Sequence, residues 1–150
     1  YTFQRGFVED VPLPNDHFDL VFLGDALEHV RDPIRVADKL SSVLAPGGVL
    51  ILTTVDFDSV LARLLGRRWR LMKPPEHLFY WNRRSLAQIF GDRGLASRFG
   101  NYWLYLPKKY VMKQFQTQFG FRPWPLLLWP GREIPIWSFD VLIGYFSKPD

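Results

Sequence analysis

Two short, largely apolar runs, Phe18 to Leu23 and Val49 to Val55, flank a stretch that carries the start and stop marks of a single helix. Nothing else in the chain constrains its fold as strongly. Each run is too short for a helix and too apolar for a strand exposed on one side, so each reads as a central strand of a covered sheet. Between them, Asp32 can cap a helix whose first position is Pro33. Val36, Ala37, Leu40, Val43 and Leu44 recur at helical spacing, and Pro46-Gly47-Gly48 stops the helix. A βαβ unit with a right-handed crossover and parallel strands follows. Functional residues then belong at the C-terminal ends of those strands, which places Gly24 to His29 and Asp56 to Ser59 on one rim.

The rest of the chain continues the alternation of an α/β fold. Asp58 or Ser59 caps a short helix through Val60, Leu61, Leu64 and Leu65, and Arg67 to Trp81 is loop. Asn82 or Ser85 opens a helix with Leu86, Ile89 and Phe90 on its apolar face, ending around Gly91 to Gly94. A strand is expected within Leu95 to Leu104, a surface helix over Lys108 to Phe119, and a last strand over Ser138 to Ser147. The apolar tract Trp124 to Trp129 cannot be a long helix, because Pro125 interrupts it and Pro130 closes it.

At 150 residues the chain is expected to form one packed domain over 1–150, with 103–135 as a substrate-region insertion. The net charge of +4 is modest and its basic residues are scattered, with short clusters such as Arg67, Arg68 and Arg70. A nucleic-acid groove, which needs a continuous basic stripe, is therefore disfavoured. The absence of cysteine excludes disulfides, thiolate metal sites and cysteine nucleophiles, and fits an intracellular, cytoplasmic protein. No stretch approaches the roughly 20 apolar residues of a membrane span, so the chain is expected to be soluble. The Trp- and Pro-rich tract Phe119 to Trp137 still permits weak contact with a membrane surface.

Four motifs occur in order: Glu9-Asp10-Val11-Pro12-Leu13-Pro14, Phe18-Asp19-Leu20-Val21, Leu27-Glu28-His29-Val30 and Leu44-Ala45-Pro46-Gly47-Gly48. Together they resemble the C-terminal half of a class I S-adenosylmethionine-dependent methyltransferase, in the broad group that includes the ubiquinone-biosynthesis O-methyltransferases. His77-Leu78-Phe79-Tyr80-Trp81 and Asp140-Val141-Leu142 fit the same layout. The resemblance implies a partial Rossmann-like sheet from the order 3-2-1-4-5-7-6, with helices on both faces. Phe18 to Leu23 and Val49 to Val55 would be parallel strands 4 and 5, and the last two runs strands 6 and 7, with 7 antiparallel. It also implies a glycine-rich cofactor loop upstream of Tyr1, in a missing N-terminal half of the domain. On that expectation the chain alone binds S-adenosylmethionine weakly or not at all.

The resemblance assigns the remaining cofactor contacts by position. Gly6 is followed by Phe7 where the family often has an aspartate, so Phe7 and Val8 would pack on adenine. Glu9 or Asp10 would replace the lost acceptor, or else form a solvated turn. Gly24, Asp25 and Ala26 would lie along the methionine and sulfonium portion, with Asp25 either supporting the positive charge or serving as a helix-start carboxylate. His29 and His77 are the candidate catalytic bases, because neutral imidazole is poised near physiological pH. Asp25, Glu28 and His29 form a D-x-x-E-H string that resembles a family metal motif of the E-x-x-E-H form. Residues three and four apart meet on one helical face, so Asp25 could share Mg²⁺ or Mn²⁺ with Glu28 or His29, and His77 could complete the set from the downstream loop. Trp69, Phe79, Tyr80 and Trp81 either wall a substrate pocket or belong to the core.

Three functions follow as expectations. The first is methyl transfer to an O or N acceptor on a small molecule or glycan precursor. The second is metal-assisted RNA 2′-O-methylation. The third is a non-catalytic interaction module whose exposed fourth strand pairs with another chain, including a second copy in a homodimer.

Overall fold

A computed structural model describes residues 3–137 and 140–150. Its main sheet has four strands in the order β1 (Phe18–Gly24), β2 (Leu44–Val55), β6 (Val141–Ser147) and β3 (Ala96–Gly100). β1 and β2 run parallel, and β6 is antiparallel to both its neighbours, β2 and β3. This is the 4-5-7-6 half of the order that the resemblance implies.

Local chemistry sets the elements that join these strands. Helix α1 (Pro33–Val43) begins where Asp32 Oδ1 accepts from the Ile34 and Arg35 amides, each at 3.1 Å. Such a cap stabilises a helix by about 1 kcal/mol. The structure decides the two other caps that the sequence leaves open. Ser59 caps α2 (Val60–Leu65), accepting from the Ala62 amide, while Asp58 pairs with Arg63. At α3 (Arg83–Gly91) Asn82 is the cap and Ser85 reciprocates, each side chain bonding the other's backbone amide. After α2 the chain makes a 3₁₀ turn, Gly66–Arg68, and remains loop to Trp81.

Strand β2 starts at Leu44, earlier than the apolar run suggests, because Leu44 already pairs with Phe18. Between that pair and Leu20↔Val49 the register shifts, and Ala45 to Gly48 bulge out. Gly47 sits at φ +72°, and a Cβ on Gly48 would lie 2.7 Å from the Ala45 carbonyl and 2.9 Å from that of Phe18. Glycine is required at 48 by this close approach.

The core lies on one face of the sheet. Val36, Ala37 and Leu40 of α1 and Leu86, Ile89 and Phe90 of α3 pack on Leu50, Leu52, Leu142 and Phe146. The Phe90 and Phe146 rings are 4.3 Å apart between centroids. On the opposite face, α2 and its following loop cover only the C-terminal end of β2, where Val55, Ala62 and Trp69 are buried together. Further along that face Leu20 and Phe22 are 60% and 66% exposed.

The strand expected over 95–104 is two strands in two sheets. β3 ends at Gly100, and β4 (Trp103–Pro107) pairs instead with β5 (Glu133–Trp137). Between them lie α4 (Lys108–Phe119) and the single turn α5 (Trp124–Leu127). Of the run expected as the last strand, Ser138 and Phe139 lie outside the described residues, and β6 begins at Val141. No helix among the described residues is long and apolar enough to cross a membrane.

Candidate functional site

Because β1 and β2 are parallel, their tips meet: Gly24 pairs with Thr53, and the segments that follow share one rim. Asp25 follows at φ +46°, the left-handed conformation that aspartate tolerates better than most residues. Thr53 holds it there from both sides. The Asp25 amide donates to the Thr53 carbonyl at 3.0 Å, and the Thr53 hydroxyl donates to Asp25 Oδ1 at 2.9 Å. The backbone therefore turns at 25 and forms no helix. Leu27 to His29 are a turn in which the His29 amide donates to the Ala26 carbonyl. The D-x-x-E-H string thus lacks the helical face that would have aligned Asp25 with Glu28 and His29, and Asp25 stays apart, directed at Thr53.

The other three candidate ligands are brought together. One side-chain ligand atom each from Glu28, His29 and His77 lie within 4.8 Å of one another. Glu28 is buried at 2% exposure, and Thr54 Oγ1 donates to its Oε2 at 2.7 Å. The Glu28 carbonyl accepts from the Leu78 and Phe79 amides, which fastens the loop carrying His77 against the β1 tip. His29 is exposed, its Nδ1 2.7 Å from the Glu76 carbonyl. A proton on Nδ1 satisfies that carbonyl and leaves Nε2 with its lone pair. The His77 ring lies 4.8 Å from that of His29, is 7% exposed, and its Nδ1 has no hydrogen-bond partner among the described residues. Burial lowers the His77 pKa below the ordinary histidine value; Glu28 opposes the shift and His29 adds to it.

Sequence reading names Asp140 in a motif and Arg70 in a basic cluster, but misses their pairing at this rim and misses Tyr102. Asp140, 4% exposed, accepts from Arg70 Nε and Nη2 at 2.9 and 2.8 Å and from Trp69 Nε1 at 3.1 Å. The Tyr102 phenol is raised above its ordinary pKa by burial first and then by the charge of Asp25, with Arg70 opposing. Tyr102 lies in the β3–β4 turn, and burial and Asp25 both favour its neutral phenol. No short motif could reveal either, since Arg70 and Asp140 meet only when loop and sheet assemble. Asp56, at the β2 tip, has its pKa raised by burial, which the hydrogen bond from the Asp58 amide partly offsets. Trp69 and Trp81 are buried core residues; Phe79 and Tyr80 are partly buried against the same clusters.

Of the residues assigned to the adenine end, Phe7 is exposed with Arg31 Cζ 4.4 Å from its ring centroid. Val8 packs on the core, Glu9 is half-buried, and Asp10 is engaged by Arg35 at 3.1 Å. Gly24 is exposed and Ala26 half-buried.

Comparison with known proteins gives this arrangement a context. The chain spans 41% of the ubiquinone biosynthesis O-methyltransferase of Psychrobacter arcticus, matching 65% of its own length at 30% identity. A 2-phytyl-1,4-naphtoquinone methyltransferase of Synechococcus elongatus is 48% identical over 44 residues, 29% of this chain and 19% of that protein. Among solved structures, the YcgJ protein of Bacillus subtilis superposes on 99% of this chain and 71% of its own with a TM-score of 0.64 at 18% identity. A Thermotoga maritima protein, described as a SAM-dependent methyltransferase and possible histamine N-methyltransferase, covers 95% of this chain and 61% of its own, with TM-score 0.61 at 20% identity. At these identities the structures speak for a shared fold. The family described as a methyltransferase domain matches residues 2–98, and the chain belongs to that family.

Proposed function

We infer that this chain is the acceptor-side portion of a class I enzyme that moves a methyl group from S-adenosylmethionine to an oxygen of a small molecule. The observation that carries this reading is the shared rim of parallel β1 and β2, where Asp25 follows the β1 tip and where Glu28, His29 and His77, the last on a loop held by the Glu28 carbonyl, come together. The relatives named for ubiquinone biosynthesis O-methylation support oxygen over nitrogen as the acceptor atom. A cytoplasmic location goes with the proposal.

When bound, the cofactor supplies a methyl group on a positively charged sulfur, already activated for in-line attack. The residues fit part of that ligand. Asp25 presents an exposed carboxylate at the β1 tip, its direction fixed by Thr53, where a sulfonium would gain from negative charge. Phe7, half exposed with Arg31 over its ring, offers aromatic surface for a purine. For an acceptor hydroxyl to be methylated, its proton would have to be taken up by a group of this chain. The exposed His29, through Nε2, or His77, whose neutral form burial favours, would take it.

As an alternative to a role for the histidines as bases, Glu28, His29 and His77 fit a divalent cation: a buried carboxylate, an imidazole whose other nitrogen faces a carbonyl, and a buried imidazole nitrogen without a partner among the described residues. They are the residues that would hold Mg²⁺ or Mn²⁺, which would make an acceptor hydroxyl more acidic. NMR tests both parts even if binding is weak. Saturating S-adenosylmethionine should shift the amides of Gly24, Asp25 and Ala26, and Mn²⁺ should broaden the His29 and His77 ring signals in wild type but not in Glu28→Gln. Unmoved β1-tip amides both in this chain and in one joined to an upstream glycine-rich half would sink the methyl-transfer reading; broadening that survives Glu28→Gln would sink the metal.

A second reading has its own observation. β1 is a sheet edge with Leu20 and Phe22 exposed beside it, which suits pairing with another chain or a second copy. Sedimentation equilibrium showing a monomer at all concentrations would remove the homodimer.

A further inference from the structure

We propose that β4 to β5, together with α2 and its 3₁₀ turn, form a docking surface for the anionic face of a lipid bilayer. Charge points to that occupant. Residues 103–137 hold five basic residues against one acidic, a net +4 that equals the charge of the whole chain, so the remainder is balanced. Lys109, Lys113 and Arg122 are exposed there, and among the described residues none of the three is in an ion pair. Arg122 is held by a neutral group, Gln116 Oε1, and keeps its charge outward.

Apolar side chains stand among these cations where a soluble surface would not keep them. Trp124 and Leu128 are 70% and 75% exposed, with Phe121 and Trp129 exposed beside them in sequence. Large aromatic and aliphatic groups mixed with Lys and Arg suit the headgroup boundary, where rings insert and ammonium or guanidinium groups meet phosphate. Helix α2 repeats the pattern. Val60 and Leu64, one turn apart, are both exposed, and exposed Arg67 and Arg68 follow.

The two parts are contiguous. Arg68 shares the wall of a cavity of about 530 Å³ with Thr117, Phe119 and Gly120. Val60 shares a second, of about 330 Å³, with Trp137 and with Asp56 at the β2 tip. The surface therefore reaches the rim that holds the candidate site. Resting on the methyl-transfer reading, the acceptor would be a lipid-borne molecule presented from the bilayer.

Vesicle flotation tests the docking independently of cofactor binding. The chain should float with phosphatidylcholine vesicles containing phosphatidylglycerol, not with phosphatidylcholine alone, and high salt should release it. Reversing Lys109 and Lys113 to Glu should lower partitioning on the order of a hundredfold at low salt. Replacing Trp124 and Leu128 with Ser should lower it by roughly tenfold or more at any salt. Brominated lipid should quench wild-type tryptophan fluorescence, since four of the six tryptophans lie in 103–137 and Trp69 and Trp81 are buried. This last measurement needs no variant to fold. Absence of flotation, equal partitioning of wild type and variants, no quenching, or capture by RNA with no affinity for vesicles would each overturn the proposal. Shifted β1-tip amides alongside any of these would leave the methyl-transfer reading standing.

Discussion

The two faces of the main sheet are built from equally apolar strands, yet only one is fully covered. On the first, Leu50, Leu52 and Phe146 lie beneath α1 and α3 at no measurable exposure; on the second, Leu20 and Phe22 stand largely in solvent. Apolar residues alternate to both sides of β1, which is how a strand covered on both faces is written. The sequence of β1 thus encodes a contact that the described residues do not supply. The core face holds the fold together, while the open face is free to be judged by what it binds.

Substitutions can break or sharpen this contrast. Phe90→Ala, in the ring pair with Phe146, should cost about 3–5 kcal/mol in urea denaturation, as large-to-small changes in packed cores do. A loss under 1 kcal/mol would mean that the covered face is loosely packed. Next comes Asp140→Ala, which strips Arg70 and Trp69 of their shared acceptor. Removing one partner of a buried pair destabilises strongly, and with Arg70 partly in water a loss of about 3 kcal/mol is expected. Thermal melts unchanged by that substitution would show the Asp140 network to be dispensable.

A smaller effect depends on pH. His77 is favoured neutral in the fold, so as pH falls through 6.5 the unfolded chain takes up the proton first. Its stabilising contribution is complete above that pH and is lost below it, with a slope no steeper than about 1.4 kcal/mol per pH unit for one proton. His77→Gln should flatten the curve between neutral and mildly acid pH, and an unaltered slope would assign the titration elsewhere. The smallest effect belongs to the open face. Phe22→Ser should change stability by about 0.5 kcal/mol or less, and a loss comparable to that of Phe90→Ala would erase the contrast.

Local signals make the βαβ unit readable from the residues themselves. Asp32-Pro33 and Pro46-Gly47-Gly48 act within a few positions along the chain, so their chemistry shows in sequence. The strand order comes from the resemblance, because pairing across the sheet leaves no local mark. The site is half readable. Glu28, His29 and His77 stand out by residue type and do converge, but grouping them with Asp25 assumes a helix that the left-handed turn at 25 forbids. Tyr102 and the Arg70–Asp140 pair carry no signal in sequence, since their partners lie far away in the chain. The split of 95–104 is hidden because Ala96–Gly100 and Trp103–Pro107 are both strand; only tertiary pairing sends them to different sheets.

Gly48 gives position a reach that its distance from the rim conceals. Five residue steps, roughly 17 Å of extended chain, take the strand from Gly48 to Thr53. A methyl group there would wedge between the Ala45 and Phe18 carbonyls and lever β1 away from β2 at their base. Any slippage would travel up the pair to Gly24 and Thr53, unhooking the threonine that aims Asp25. The smallest side chain in the protein thereby sets the alignment of groups at the far end of the strand.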